Sequence, residues 1–141
     1  MGLLKRRDDW PQRLAAVVAG AQARPYVLGE WDCWRFACAC IEAMTDTDFW
    51  PRFSGYKTKR QALVTIARIA PTLGEALTIT LGVEPQDTRM AHRGDLALYL
   101  DATGMEHIGV CLGARVAVLG AGGLQQVPVT DAGLLAAWRV G

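Results

Sequence analysis

Three of the four cysteines fall within residues 33–40, in the stretch PYVLGEWDCWRFACAC (25–40). A thiol can act as nucleophile, metal ligand or small apolar filler. Helix geometry separates these roles. At about 100° per residue, Cys38 and Cys40 point to nearly opposite sides, and Cys40 lies some 10 Å along the axis from Cys33. One metal ion could not gather all three from a regular helix, so no metal or other cofactor is expected. Cys38, Cys40 and Cys111 read as buried apolar side chains. Cys33 differs, because it follows Asp32 at what reads as a helix start. Unpaired N–H groups and the helix dipole there lower a thiol pKa and can stabilise the oxyanion of an acyl-transfer step. A cysteine nucleophile needs a base, and the chain has two histidines, His92 and His107. His92 sits in the polar stretch MAHRGD and reads as a solvated loop residue. His107 opens the apolar run HIGVCLG, where a polar side chain at the strand edge is a candidate base.

The elements that must position these groups follow from periodicity. DDWPQRLAAVVAGAQ predicts a first helix, with Asp9 or Trp10 as cap, Pro11 in its first turn and a stripe of Leu14, Val17, Val18 and Ala21. DCWRFACACIEAM predicts a second, capped by Asp32, with Phe36, Cys40 and Met44 on one face. TDTDFWPRFSGY reads as loop. KTKRQALVTIARIA and TLGEALTITLG read as two further helices, split at Pro71 and stopped at Gly82, whose expected role is structural packing. After the polar loop EPQDTRMAHRGD come short strands at 96–100, 107–113, 115–120 and 124–129. DAGLLAA reads as a last helical turn and AWRV as a final short strand. Helices first and a small antiparallel sheet afterwards define an α+β fold.

Length and charge narrow the class. A chain of 141 residues suits one domain, 1–141, with a real core. Net charge is +1, which gives no overall electrostatic case for nucleic acid, although a local basic patch escapes that test. KRR at 5–7 followed by LAAVVAGA and AQA imitates a secretory signal. The acids Asp8 and Asp9, with Pro11 and Arg13, interrupt it, so no signal peptide is expected. No segment approaches the roughly 18 apolar residues of a membrane span.

Three motifs in order carry a resemblance: Tyr26, Gly29, Asp32 and Cys33 as Y-x-x-G-x-x-D-C, then Gly94 to Leu96 as GDL, then HIGVCLG from His107. Together they resemble NlpC-type papain-like cysteine peptidases over roughly residues 10–120. The stretches GYKTKRQAL and GLQQVPV…AAWRVG are similar to small relatives encoded by tailed phages, prophages and gene-transfer agents, typically beside tail-tip genes. The resemblance implies a papain-like fold with Cys33 as nucleophile and His107 as general base. The resemblance places Tyr26 at the family aromatic that lies near the nucleophile and helps polarise the scissile carbonyl. On the same resemblance, Asp32 is a candidate for the substrate and oxyanion side of the site, and the backbone N–H of Cys33 would contribute to the oxyanion hole. It also implies a peptidoglycan peptide as substrate, tail hub or tail-tip proteins as partners, and a place in the virion tail after synthesis in the host cytoplasm. Two positions depart from the pattern. Trp34 stands where the family usually has Ser, and the strand after His107 offers no polar residue to orient it, leaving Gln125 or Gln126 on the next strand as substitutes. A catalytically weak or inactive structural adaptor of the tail tip is therefore the alternative reading. It calls for an exposed docking surface, for which Trp10, Trp50, Phe53 and Trp138 are candidates, though each also reads as a core or loop anchor.

Overall fold

The structure, a computed structural model, describes residues 4–141. Five helices precede a five-stranded antiparallel sheet: α1 (Trp10–Ala23), α2 (Cys33–Thr45), α3 (Trp50–Phe53), α4 (Lys59–Ala67), α5 (Leu73–Leu81), then β1 (Leu96–Leu100), β2 (Glu106–Cys111), β3 (Arg115–Gly120), β4 (Gly123–Pro128) and β5 (Leu134–Trp138). The strand order is β4-β3-β2-β1-β5. The fold is α+β, as expected from the order of helical and strand periodicities.

Local chemistry explains the helix starts. Asp32 is extended, and its carboxylate accepts from the Arg35 N–H at 2.9 Å, a side-chain cap on α2. Thr58 and Thr72 cap α4 and α5 in the same way, through the N–H groups of Gln61 and Glu75. Gly82 ends α5 in the left-handed region that favours glycine.

The sheet divides its side chains by alternation. Leu96, Leu98, Ile108, Val110, Ala117 and Leu119 face the main core with α1, α2 and α5. Ala97, Val116, Val118 and Leu134 form a second cluster on the other face, with Tyr99 and Val127 against it. Phe36, Cys38, Cys40 and Met44 from α2 are fully buried. Packing is thus the role of Cys38 and Cys40. Phe53 and Trp138 are buried as well, and Trp10 and Trp50 are partly buried against the core, so the aromatic residues named for an adaptor surface serve as anchors.

Three elements differ from the sequence reading. Trp50–Phe53, expected as loop, forms one helical turn started by Pro51. The expected helical turn at 131–137 is instead β5, paired to β1 through Leu98↔Ala136 and Leu96↔Trp138. Its leucines and alanines favour a helix locally, but the open edge of β1 supplies hydrogen-bond partners and a face for Leu134 and Trp138 to bury. Finally, α5 buries Leu73, Ala76, Leu77 and Leu81 whereas α4 buries nothing. The ends of the fold are stitched together by Arg6. Its guanidinium donates to the carbonyls of Val140 (2.6 Å) and Arg93 (2.8 Å) and to the buried Asp95 carboxylate (3.0 Å).

Candidate active site

Asp32 organises the approach to Cys33. The chain turns tightly between Val27 and Trp31, which pair through two backbone hydrogen bonds. Gly29 at the tip has φ +81°, and a Cβ there would run into the carbonyl oxygen of Tyr56. Both reasons demand glycine. The second oxygen of Asp32 accepts from the Gly29 N–H at 2.9 Å and from the hydroxyl of Tyr56. A carboxylate that is 3% exposed is thereby shared among a turn, a helix start and a residue 24 positions away. Burial and the bond to Asp32 hold the Tyr56 phenol far above its ordinary pKa, so it remains a donor. Asp32, a candidate for the substrate side of the site, directs its carboxylate at the protein's own backbone and Tyr56.

Cys33 begins α2 and is partly buried. Its thiol lies against the backbone amide of Ile108 on β2. The expected lowering of its pKa is reversed. Burial raises the thiol from the ordinary 9.0 to about 11, and the nearby Asp32 charge adds to this. The amides of Ile108, Trp34 and Cys33 itself oppose the rise without overcoming it. Dipolar N–H groups at one helix end are outweighed by the cost of charging a thiol out of water beside a carboxylate. Tyr26 is partly buried on the near side. Its phenol is raised by burial first, then by the proximity of Cys33 and Asp32.

His107 stands across from Tyr99 in the β1–β2 register, on the sheet face of the second cluster, one residue from the amide that meets the thiol. Its Nε2 is 2.8 Å from Asp101 Oδ2. Asp101 lies in the β1–β2 connection, six residues before the histidine. Its other oxygen accepts from the Thr103 N–H (2.8 Å), the Thr103 hydroxyl (2.6 Å) and the Met105 N–H (3.0 Å). These bonds, Thr103 foremost and His107 next, hold the Asp101 carboxyl far below its ordinary pKa. The histidine therefore has a carboxylate partner. It comes from the hairpin preceding the histidine, not from the strand following it, and Gln125 and Gln126 are exposed on β4. The signal was present in LYLDATGMEH: Asp101 is two residues beyond Tyr99, on the same strand face, and Tyr99 pairs with His107.

Cys33 and His107 line one cleft of about 490 Å³, with Tyr26, Asp32 and Trp34. No hydrogen bond joins thiol and imidazole among the described residues; the thiol meets the Ile108 amide, and the imidazole meets Asp101. Trp34 is a wall and not a plug, its ring lying 4.2 Å from that of Phe53. The opposite wall is α4, whose Ala62, Leu63 and Ile66 line the cleft, and this explains why a helix with an apolar stripe buries none of it. His92 is exposed in its loop, outside the cleft. Among the described residues no cluster of His, Cys, Asp or Glu could hold a metal ion, and no helix is long and apolar enough to cross a membrane.

An α+β domain with a helix-borne cysteine and a strand-borne histidine on one cleft, the histidine bonded to an aspartate of the preceding hairpin, is the class that fold and geometry define. The chain belongs to the family described as a domain of unknown function, DUF6950, which matches residues 5–140. No curated protein matches the chain.

Proposed function

We propose that the protein is a papain-like cysteine hydrolase of the NlpC type, which cleaves peptide links of the bacterial cell wall and is carried at a phage-type tail tip. The observation that carries this reading is the Asp101–His107 contact. It occupies Nε2 and leaves Nδ1 without a hydrogen bond among the described residues, in a histidine that lines the same cleft as Cys33. In the proposed reaction Nδ1 takes the thiol proton, and the sulfur attacks the scissile carbonyl carbon. The resulting oxyanion is stabilised by backbone N–H groups at the start of α2. The imidazolium then protonates the leaving amine, and water hydrolyses the thioester through the same base. Because the resting thiol is neutral at physiological pH, proton transfer accompanies substrate binding, when the sulfur leaves the Ile108 amide.

The adaptor reading is favoured by a different observation: the thiol faces a backbone amide, and His107 lies on the sheet face of Tyr99. One experiment separates the two. Purified protein and its Cys33→Ala variant are incubated with peptidoglycan fragments, and released peptides are quantified by mass spectrometry. The hydrolase reading expects product from the first only. Equal product from both, or none from either, overturns it; particles that lack the protein overturn the adaptor reading.

A further inference from the structure

Charge is segregated along this chain. Between Phe49 and Gly74 lie Arg52, Lys57, Lys59, Arg60 and Arg68, with no Asp or Glu. That segment carries +5 in a chain of net charge +1, so the remainder carries −4. Of the ten cations elsewhere, Arg6, Arg7, Arg13 and Arg89 form ion pairs among the described residues, but those ten share the rest of the chain with all fourteen acids. None of the five in this segment forms one among the described residues, and all five are exposed. Arg52 lies over the Phe49 ring, and the other four form a run of exposed positive charge with no acid in it that suits an external anion.

The same segment leaves apolar side chains in water. Helix α4 has no buried residue, Leu63 is 67% exposed and Val64 45%. Lys57, Lys59 and Arg60 stand at its N-terminal end and Arg68 just past its C-terminal end, so the exposed aliphatics lie between two cationic groups. Arg60, Arg68, Gln61, Thr65 and Ser54 edge a shallow groove on the side of α4 away from the cleft. A soluble phosphate polymer would use the cations and gain nothing from Leu63 and Val64. A bilayer interface uses both, because aliphatic side chains enter the acyl boundary while Lys and Arg meet headgroup phosphates.

We propose that α4 and its flanks form a docking surface for an anionic lipid interface, on which the protein lies without spanning it. The partner is recognised by phosphate-bearing headgroups together with a shallow apolar layer. This assignment does not depend on catalysis at Cys33.

Cosedimentation with vesicles of phosphatidylcholine containing phosphatidylglycerol, and with pure phosphatidylcholine vesicles, tests it. Binding is expected to the anionic vesicles only and to weaken steeply with salt. The exposed variant K57Q/K59Q/R60Q/R68Q is expected to bind roughly 10²-fold more weakly or worse. Val64→Ser, on the groove side of α4, is expected to weaken binding several-fold at unchanged salt dependence. Circular dichroism of each variant confirms that the fold persists. No binding to anionic vesicles, equal binding to neutral ones, or a charge variant that binds like the parent overturns the proposal. Tight binding of a heparin or DNA probe together with an inert Val64→Ser assigns the surface to a soluble polyanion, and this too overturns it.

Discussion

Asp32 and Asp101 both spend a carboxylate on nearby N–H groups, yet the two do different work. Asp32 is buried, and its three partners are Gly29, Arg35 and Tyr56, all belonging to the scaffold. Asp101 is 29% exposed in its side chain, and one oxygen braces its own hairpin while the other is offered to a titratable ring. A carboxylate with every bond turned inward fixes where a nucleophile sits. A carboxylate with one oxygen turned to an imidazole sets which nitrogen that imidazole can use.

The sharpest way to break this contrast is to remove each acid in turn. Under the proposed hydrolase function, Asp101→Ala is expected to lower hydrolysis of wall peptide by on the order of 10²–10⁴-fold while the thermal midpoint barely moves, since its bonds lie in a partly exposed hairpin. Steady-state rates and calorimetry on one preparation check both halves. Asp32→Ala should act first on stability, with any loss of activity following from displacement of Cys33. Losing a helix cap and leaving the Tyr56 hydroxyl buried without its acceptor costs about 3 kcal/mol, read by urea denaturation. Gly29→Ala, strained by its positive φ and by the Tyr56 carbonyl, should cost about 2–3 kcal/mol by the same measurement. Tyr56→Phe removes a single bond to a charged acceptor and should cost about 1.5 kcal/mol, with Asp32 still capping α2.

Titration sharpens the comparison from the side of the thiols. Cys33 is raised to about 11 and Cys38 to about 12, each from 9.0 and each chiefly by burial. A raised acid favours its protonated form in the folded state. Their contribution to stability is therefore complete below about pH 9 and is lost as pH rises through about 11 and 12. Denaturation midpoints should fall across that window. Alkylation of Cys33 by iodoacetamide should keep accelerating to about pH 11 and not level off near 9.

Periodicity made much of the fold legible. The stripe of α1, the Asp32 cap and the alternating strands all rest on short-range chemistry, and they fall where the residues place them. What escaped depended on partners distant in the chain. LLAA reads as helix until the edge of β1 is available to pair with it. The apolar side of α4 reads as packing until the cleft appears beneath it. At the site, Cys33 and His107 stand out by residue type and context. Asp101 is hidden in the sequence because it precedes His107, and only the β1–β2 hairpin brings it back to the imidazole. The thiol pKa is illegible in the sequence for a related reason. A helix start is visible in sequence, but the burial and the Asp32 charge that outweigh it come from folding the Val27–Trp31 turn against Tyr56 and β2.

The Arg6 clasp carries a topological consequence. Residues 6 and 140, at opposite ends of the described chain, are bonded to each other at 2.6 Å. A path entering the domain and a path leaving it thus share one doorway. The domain could be spliced into a surface loop of a larger host with little loop-closure entropy to overcome, so the host need not be pried apart to accept it.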